Sequence, residues 1–373
     1  MWKTVKLGDI CKLNYGKALD KKDRLENGAI PVYGANGIKA YTDKLLHDKP
    51  SIIIGRKGSA GELNKVAKPF WALDVTYYVT TDESIVDLDF LFYVLAILNL
   101  PSMARGVKPG INRNDVYDKS INLPSLSQQQ RIVAKLDAAF AEIDRVIAIA
   151  KEANIESSQI YQNALSDIFK NIEDCEPRRT LKDVAKEFGR GKSKHRPRND
   201  ERLFGDKIPF IQTGNVSNTK MYVDSYDKSY SEFGVSQSKI WGKGTVCITI
   251  AANIAELAIL DIDACFPDSV IGVYPDKEIT SSEYIFYLLS YFQVYIKNKS
   301  KGSAQQNINL GTFESEKFPF PANLIHQNRI VDKLNKLQKE LGLYKSLQSK
   351  KLKEMHSLKS SMLKQALLPS EAA

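Results

Sequence analysis

The sequence predicts an α+β protein with two duplicated β-rich domains, joined by two long antiparallel helices that form a coiled coil with pseudo-twofold symmetry. Three observations lead to this fold. The phrase Gln-Gln-Arg-Ile-Val-Ala-Lys-Leu at 129–136 returns as Gln-Asn-Arg-Ile-Val-Asp-Lys-Leu at 327–334, 198 positions later. Five further blocks match in the same order in the two halves. An apolar stripe of helical period follows each copy of the phrase.

Composition sets limits on the class of protein. A chain of 373 residues is long enough for two domains, and 53 basic against 44 acidic residues lean mildly towards an anionic partner. The four cysteines and four histidines are dispersed, which argues against a metal site or a disulfide framework. The longest apolar run, 90–100, is too short to span a bilayer, and the N-terminus lacks a signal-peptide pattern. We therefore expect a cytoplasmic protein.

The matched blocks predict a duplication, because a chance agreement of five blocks in the same order is improbable. They are 7–10 with 181–184, 30–37 with 208–215, 51–54 with 246–250, 89–95 with 282–289, and 106–112 with 302–309. Short β-branched and aromatic runs at 51–54, 75–80 and 246–250 predict strands. Short helices are expected at about 87–99 and 281–297. The predicted domains are 1–125 and 173–322, and the long helices are 126–172 and 323–373.

Each long helix is predicted from apolar residues at alternating steps of four and three. The predicted seam contains Ile132, Leu136, Ile143, Val146 and Ile160, and in the second helix Ile330, Leu334, Leu337, Leu341, Tyr344, Met355 and Leu358. Helices of about 36 residues, roughly 54 Å long, outreach a compact domain, so we expect them to pack against each other. The alternative is that each packs only on its own domain.

Taken together, these features resemble the DNA specificity subunit of type I restriction–modification systems. The blocks that carry the resemblance are 31–38, 55–61, 209–216 and 302–308, with the two Gln-rich helix starts. The resemblance implies a non-catalytic subunit whose two target recognition domains read a bipartite DNA site. It also implies that the helices set the spacing of the half-sites and carry two methyltransferase subunits, which methylate adenine at N6. S-adenosylmethionine would then be bound by those partners and no cofactor by this chain. In that family, restriction subunits can join the complex and cut DNA with ATP.

Candidate DNA contacts in the first half lie in or near glycine-rich loops. Backbone can approach phosphate at glycine, and arginine can form two hydrogen bonds with guanine. The candidates are Asn36, Arg56, Lys57, Ser59, Lys108 and Arg113. For the loop at 55–61 the alternative is a solvated turn. Asn36 could equally fill a left-handed turn, and the residues at 112–114 could equally start a helix.

Candidate contacts in the second half are basic or amide-bearing. The densest basic run supplies Arg190, Lys192, Lys194 and Arg196, which suit phosphate. Asparagine and glutamine pair well with adenine, and the polar candidates of this kind are Gln212, Thr213, Asn215, Asn253, Gln305 and Gln306. A solvated loop is the alternative for the basic run, and the capping of turns and helices is the alternative for the amides.

Two other classes of function stay open at this point. One is a coiled-coil interaction scaffold that binds no specific DNA. The other is an autonomous nuclease or methyltransferase. Against the latter, the sequence contains neither Asp-Pro-Pro-Tyr nor Asn-Pro-Pro-Tyr, the tetrapeptides that hold the amino group in adenine methyltransferases.

Overall fold

A computed structural model describes residues 2–173, 175–251, 254–301 and 310–368. The chain divides into two compact units. Unit 1 contains Met1–Glu152 and Gln348–Ala373, and unit 2 contains Ala153–Leu347. Each unit therefore holds one β-rich domain together with a part of each long helix.

Unit 1 begins with the first β-rich domain. Its elements in chain order are β1 (Lys3–Lys6), α1 (Leu7–Ile10), β2 (Cys11–Tyr15), β3 (Ile30–Gly34), β4 (Gly37–Thr42), β5 (Ser51–Gly55), β6 (Leu63–Val66), β7 (Trp71–Ala72), β8 (Thr76–Thr81), α2 (Leu88–Ile97), α3 (Arg113–Tyr117) and β9 (Ser120–Leu123). The first long helix, α4 (Leu126–Glu173), follows and continues into unit 2.

Unit 2 repeats this plan, with a longer helix in the place of α2. Its elements are β10 (Arg178–Thr180), β11 (Ala185–Arg190), β12 (Phe204–Phe210), α5 (Thr213–Ser217), β13 (Tyr222–Val223), β14 (Lys228–Tyr230), α6 (Glu232–Ser236), β15 (Ile240–Trp241), β16 (Val246–Thr249), β17 (Leu257–Leu260), β18 (Ala264–Cys265), β19 (Val270–Pro275), α7 (Ser282–Lys301), α8 (Leu310–Ser315) and β20 (Lys317–Pro319). The second long helix is α9 (Leu324–Ala366).

The duplication is visible in the strand order of the sheets. The order β2-β8-β5-β6 in unit 1 corresponds to β11-β19-β16-β17 in unit 2, where β13 adds a further strand. A second sheet, β4-β3-β7, corresponds to β14-β12-β18, where β15 is added. In both of these sheets an antiparallel pair is followed by a parallel one. The α+β fold predicted from the repeated blocks is confirmed.

Burial of the central strands explains why the predicted β-rich runs form sheets. All five residues of β5 are buried, as are all four of β16. A strand that is apolar on both faces requires cover on both sides. In unit 1, α2 supplies part of that cover, because Phe90, Leu91 and Val94 join the same buried cluster as Ile52 and Ile54. The side chain of Asp87 caps α2 by accepting hydrogen bonds from two backbone amides at its start.

Two buried glutamines connect the long helices to their domains. The Gln129 side chain donates to the carbonyl oxygens of Ile85 and Pro124 at 3.0 and 2.9 Å. The Gln327 side chain donates to those of Ile279 and Pro321 at 2.9 and 2.8 Å. Both side chains are almost fully buried. The repeated phrase of the sequence thus contains the residue that anchors each long helix at its first turn.

A tyrosine contact is duplicated in the same way. Tyr93 on α2 donates a hydrogen bond to the Asp137 carboxylate on α4. Tyr287 on α7 donates to the amide oxygen of Asn335 on α9 at 2.5 Å. Asn335 is 198 positions after Asp137. Burial raises the pKa of both tyrosines, and in unit 1 the carboxylate of Asp137 adds to the effect.

Within unit 1, the start of α4 packs against the end of α9 in the antiparallel sense. Val133 shares a buried cluster with Leu367. Later in α4, the Asp144 carboxylate accepts hydrogen bonds from Lys359, which lies earlier in α9, at 2.8 and 2.7 Å. The apolar contact in this part is formed by Leu136, Phe140, Ile143, Ile147, Leu352, Met355, Met362, Leu363 and Ala366.

Within unit 2, the remaining parts of the two helices pack with the same antiparallel sense. The Ser158 hydroxyl accepts a hydrogen bond from Lys345 at 2.8 Å. Further along α4, the residues Leu165, Phe169 and Ile172 share the main core of the unit with the early α9 residues Ile330, Val331 and Leu334. The predicted packing of the two long helices against each other is confirmed.

The observed seam differs from the predicted one at three positions. Ile160, Tyr344 and Leu358 are 51%, 41% and 44% exposed, so they lie outside the buried contact. The residue that follows each of them is partly buried instead. A helix of 3.6 residues per turn drifts against a strict 3.5-residue repeat, so either of two neighbouring residues can face the partner helix. In the first helix, Phe140 and Ile147 are buried in the seam.

The other predicted seam residues are buried or partly buried: Ile132, Leu136, Ile143, Val146, Ile330, Leu334, Leu337, Leu341 and Met355. α4 contains 48 residues and α9 contains 43, both more than the roughly 36 residues over which the apolar stripe predicts a helix. Anchoring explains the difference. The buried glutamines fix the first turns, and in α4 the buried Phe169 and Ile172 extend the contact to the last turn.

Candidate nucleic-acid interface

The first candidate surface is built on the loop between β5 and β6, residues 55–61. Its glycines are required by the backbone. Gly58 and Gly61 have φ angles of +80° and +86°, a region that favours glycine. A Cβ atom at Gly61 would also lie 2.3 Å from the Pro101 nitrogen. The loop therefore makes a tight turn that leaves Lys57 exposed and Arg56 half-buried.

Arg56 is held in place from two sides. Its Nε and Nη2 atoms both donate to the Asp74 carbonyl oxygen, at 3.1 and 2.8 Å. Its guanidinium lies over the ring of Tyr15, 5.3 Å from the centroid, and the guanidinium of Arg113 lies 5.0 Å from the same centroid. Tyr15 is 48% exposed. One aromatic ring at the end of β2 thus collects two cations at the surface.

A second loop lies against the first. The Ile111 amide donates to the Arg56 carbonyl at 3.0 Å, and Lys57 pairs with Gly110 in an isolated β-bridge. The loop that carries the exposed Lys108 therefore reaches the same surface. We call Tyr15, Arg56, Lys57, Lys108 and Arg113 the Arg56 surface. Four of these five residues are candidates that the sequence predicted.

The Arg56 surface rests on a buried tyrosine. Tyr77 donates from its hydroxyl to the Ile111 carbonyl at 3.1 Å, and its ring lies 5.1 Å from that of Tyr15. Burial, with a contribution from Tyr15, raises the pKa of Tyr77 to about 12. The hydroxyl is therefore a neutral donor that fixes the second loop beneath the cations.

The remaining candidates of the first half lie beside this loop. Asn36 is exposed in the turn between β3 and β4. The neighbouring Ala35 carbonyl comes within 3.1 Å of the position that a Cβ atom would take at Gly55, so the turn touches the loop. Ser59 is half-buried, and its carbonyl accepts a hydrogen bond from the Glu62 amide. Their contact with DNA stays a prediction.

The second candidate surface is the basic segment 190–198 of unit 2, which we call the basic loop. Gly191 allows it to leave β11, because a Cβ atom there would lie 2.1 Å from the Phe266 carbonyl oxygen. The side chains of Arg190, Lys192 and Lys194 are exposed, and in the part of the chain that the structure describes they form no hydrogen bond or ion pair. These three cations are free to meet an anionic ligand.

Two arginines of the basic loop are bound to the protein itself. Arg196 donates to the carbonyl oxygens of Ser193 and His195, and Arg198 donates to both oxygens of the Asp268 carboxylate at 2.8 Å. Next to them, Asp200 accepts from His195 at 2.7 Å. Hydrogen bonds from Arg202 and then His195 hold the pKa of the Asp200 carboxyl well below its usual range. These contacts give the basic loop a defined shape.

The amide-bearing candidates lie at the start of α5. The Asn215 side chain accepts a hydrogen bond from the backbone amide of Gln212 at 2.9 Å and donates one to the Asp227 carboxylate at 3.0 Å, so it caps the helix. Gln212, Thr213 and Asn215 also line a groove of about 1510 Å³ within unit 2, together with side chains of α4 and α9. Asn253, Gln305 and Gln306 lie outside the described residues.

Among the described residues, no group of three or more histidine, cysteine or acidic side chains is arranged to hold a metal ion. In the same ranges, no helix is both long and apolar enough to cross a membrane.

Tyr15 is the residue that sequence reasoning missed. Its role depends on β2 lying beside β8 and β5, and no local pattern near Tyr15 indicates the two arginines that it meets.

Comparison with known proteins identifies the family. A model of the type I restriction modification DNA specificity domain matches residues 1–156 and again 173–353. The EcoDI specificity subunit of Escherichia coli is 30% identical over 146 residues, which are 38% of this chain and 32% of that subunit. A putative type I specificity subunit of Haemophilus influenzae, S.HindORF215P, is 24% identical over 333 residues, 84% of this chain and 81% of that protein.

Solved structures show the same fold. A chain from a structure of a type I R-M system, solved to explain its assembly and conformational transition, has a TM-score of 0.78 and 18% identity. The coverage is 99% of this chain and 98% of that one. The HsdS subunit of Thermoanaerobacter tengcongensis has a TM-score of 0.59 and 18% identity, with 98% and 96% coverage. With two matches of the family model spanning both halves, the chain belongs to the family of type I restriction–modification DNA specificity proteins.

Proposed function

We propose that this chain is the specificity subunit of a type I restriction–modification complex and reads a bipartite DNA site, one half-site with each unit. It does so as a non-catalytic component. The observation that carries the proposal is the duplication. The two units share the order of four strands in one sheet and of three in the other, and each unit attaches the start of one long helix through a buried glutamine. Two similar readers in one chain suit a site with two parts.

Each unit presents cations that suit a nucleic acid. In unit 1, Lys57 and Lys108 are exposed beside the anchored guanidinium of Arg56. In unit 2, Arg190 and Lys192 are exposed on the basic loop. Flexible lysines serve as phosphate contacts that set the position of a protein on the duplex, whereas a fixed arginine can read a base.

We further propose that the outer faces of the long helices dock two copies of one methyltransferase subunit. Exposed apolar residues recur there at equivalent positions. Ile149 and Leu347 are 52% and 57% exposed, and Ile160 and Leu358 are 51% and 44% exposed. Each pair is 198 positions apart. Apolar side chains that recur with the duplication suit two like partners, because each partner then meets the same chemistry.

The long helices would also fix the distance between the half-sites. α4 runs without interruption from the end of one domain to the start of the next, and an antiparallel helix pair resists bending better than a flexible linker. S-adenosylmethionine would belong to the methyltransferase subunits, which methylate adenine at N6. Restriction subunits can then complete the complex. With DNA as the ligand, the expected location is the cytoplasm.

Methylation-sensitive sequencing of the host genome tests this function. The genome is compared with the gene for this chain intact and deleted, while the methyltransferase subunit is expressed in both strains. We expect one bipartite motif with N6-methyladenine to disappear on deletion and to return on complementation. An unchanged methylation pattern would exclude the proposed role.

A further inference from the structure

The Arg56 surface carries a more specific inference, which rests on the proposed function. We propose that Arg56 reads a guanine base in the half-site bound by unit 1, and that Tyr15 is the positioning residue that holds the guanidinium for this contact. The chemical class of the target at this point is therefore a base with two acceptors on its major-groove edge.

The hydrogen bonds of Arg56 leave one edge of its guanidinium free. Its side edge, Nε with Nη2, is occupied by the Asp74 carbonyl at 3.1 and 2.8 Å. The end edge consists of Nη1 and the second hydrogen of Nη2. These two donors form the planar fork that matches O6 and N7 of guanine. The anchoring therefore leaves the base-reading edge free.

Contact of the guanidinium with an aromatic ring helps to hold the direction of that fork. The ring of Tyr15 lies 5.3 Å from the Arg56 guanidinium and 5.0 Å from that of Arg113. The ring itself is supported by the buried Tyr77, at a centroid distance of 5.1 Å. A side chain that is held in its binding conformation before DNA arrives loses less entropy on binding. Tyr15 would thus contribute to base reading through Arg56.

A base contact explains this anchoring better than a phosphate contact does. A phosphate can be met by a mobile charge, and the exposed Lys57 and Lys108 on the same surface can supply it. Restricting an arginine with two hydrogen bonds and a ring brings little advantage at phosphate. It brings selectivity at a base, where the wrong base leaves the fork unpaired.

The chain offers a matched control for the local bonding. Arg24, also in unit 1, donates from Nε and Nη2 to the Leu19 carbonyl at 3.1 and 2.9 Å. Its side edge is therefore occupied in the same way as that of Arg56. In the described part of the chain, however, no aromatic ring lies under its guanidinium. Changes at Arg24 should leave base selection intact.

The test uses the complete methyltransferase complex with the R56M, Y15A, Y15F and R24M variants, because methionine has no hydrogen-bond donor for guanine whereas lysine has one. Binding is measured to duplexes of the wild-type motif in which each guanine is replaced in turn by 7-deazaguanine, which lacks the N7 acceptor. At one guanine of one half-site, we expect the wild-type complex to lose about tenfold or more in affinity. R56M should be insensitive to that replacement, and Y15A should lose most of the sensitivity. Y15F and R24M should keep it.

The possible results separate this inference from the proposed function. If no bipartite motif exists for the wild-type complex, the proposed function fails. If the motif exists but R56M keeps the same sensitivity to 7-deazaguanine, only the reading of guanine by Arg56 is overturned. If R56M stays folded and loses affinity equally for every duplex, Arg56 acts as a general phosphate contact and the inference is likewise overturned.

Discussion

Gln129 and Gln327 make equivalent hydrogen bonds, each within its own unit. Each side-chain NH₂ donates to two backbone carbonyls of the domain, and each amide oxygen accepts a hydrogen bond as well. The donor to Gln129 is the Asp87 amide at 2.8 Å, and the donor to Gln327 is the Thr280 hydroxyl at 2.8 Å. A buried amide with all these partners specifies one orientation of the helix start on the domain.

The first prediction concerns this anchor. Gln129→Leu keeps the size of the side chain but leaves the carbonyls of Ile85 and Pro124 and the amide of Asp87 without their buried partner. We expect the free energy of unfolding to fall by about 3 kcal/mol, because unsatisfied buried polar groups keep their full desolvation cost. Urea denaturation monitored by circular dichroism measures the change.

Gln327→Leu should produce a loss of similar size, since its partners are equivalent. The matched controls are Gln130→Leu and Asn328→Leu, the exposed neighbours in the two copies of the phrase. They should shift stability by less than about 0.5 kcal/mol. Equal effects at the buried and exposed positions would contradict the anchoring role.

The second prediction tests the phase of the helix seam with one residue type at two positions. Ile147 is 7% exposed and Ile160 is 51% exposed, both on α4. Ile147→Ala should cost about 2–4 kcal/mol because it leaves a cavity in the contact with α9. Ile160→Ala should change stability by less than about 0.5 kcal/mol. Thermal and urea unfolding of the two variants gives the comparison. A larger loss of stability at Ile160 than at Ile147 would support the seam that the sequence predicted.

This difference shows how far the sequence could determine the helices. The repeated phrase predicted that both helices exist, that they start in equivalent places and that they pair. The sequence indicated Val146 for the seam, but its neighbour Ile147 is apolar as well, and the heptad repeat and the helical repeat differ by only a small angle per turn. Only the packing of larger side chains such as Phe140 selects one of the two.

The candidate interface was predictable to a similar extent. Glycine-rich loops with basic residues pointed to Arg56 and to Lys192, because the backbone conformation and the charge are both local properties. The contacts that orient Arg56 are not local. Tyr15 and Arg113 reach it through the order of strands β2, β8 and β5 and through the second loop. The partners that already occupy Arg196 and Arg198 were equally hidden from the sequence.

The third prediction concerns the docking of the methyltransferase subunit. Ile160→Asp with Leu358→Asp places charges on two equivalent exposed apolar positions. We expect the affinity for the methyltransferase subunit to fall by at least about tenfold, since burying an unpaired carboxylate at an apolar contact is costly. The stability of the isolated chain should hardly change. Isothermal titration calorimetry with the purified subunits measures the effect.

Gln130→Asp with Asn328→Asp adds the same charges at exposed polar positions of the same helices, and it serves as the control. This double variant should keep wild-type affinity for the methyltransferase subunit. If both double variants bind as tightly as the wild type, the outer helix faces at Ile160 and Leu358 do not carry the docking.

The fourth prediction separates phosphate contact from general charge. The triple variant R190A/K192A/K194A removes the three exposed cations of the basic loop. Each lost phosphate contact should reduce the slope of log affinity against log salt by about 1, so we expect a reduction of up to about 3. Binding should weaken alike for specific and unrelated duplexes, because phosphates carry no sequence information. Fluorescence anisotropy between about 50 and 200 mM salt gives the slope.

The control for the basic loop removes the same charge from exposed positions of α9. K333A/K336A/K353A changes the net charge of the chain by the same amount as the loop variant does. If the loop contacts phosphate, the slope should fall in the loop variant and stay close to wild type in the α9 variant. Equal slopes in the two variants would mean that the loop acts only through the overall charge of the chain. A loss confined to one DNA sequence would instead place a base contact among Arg190, Lys192 and Lys194.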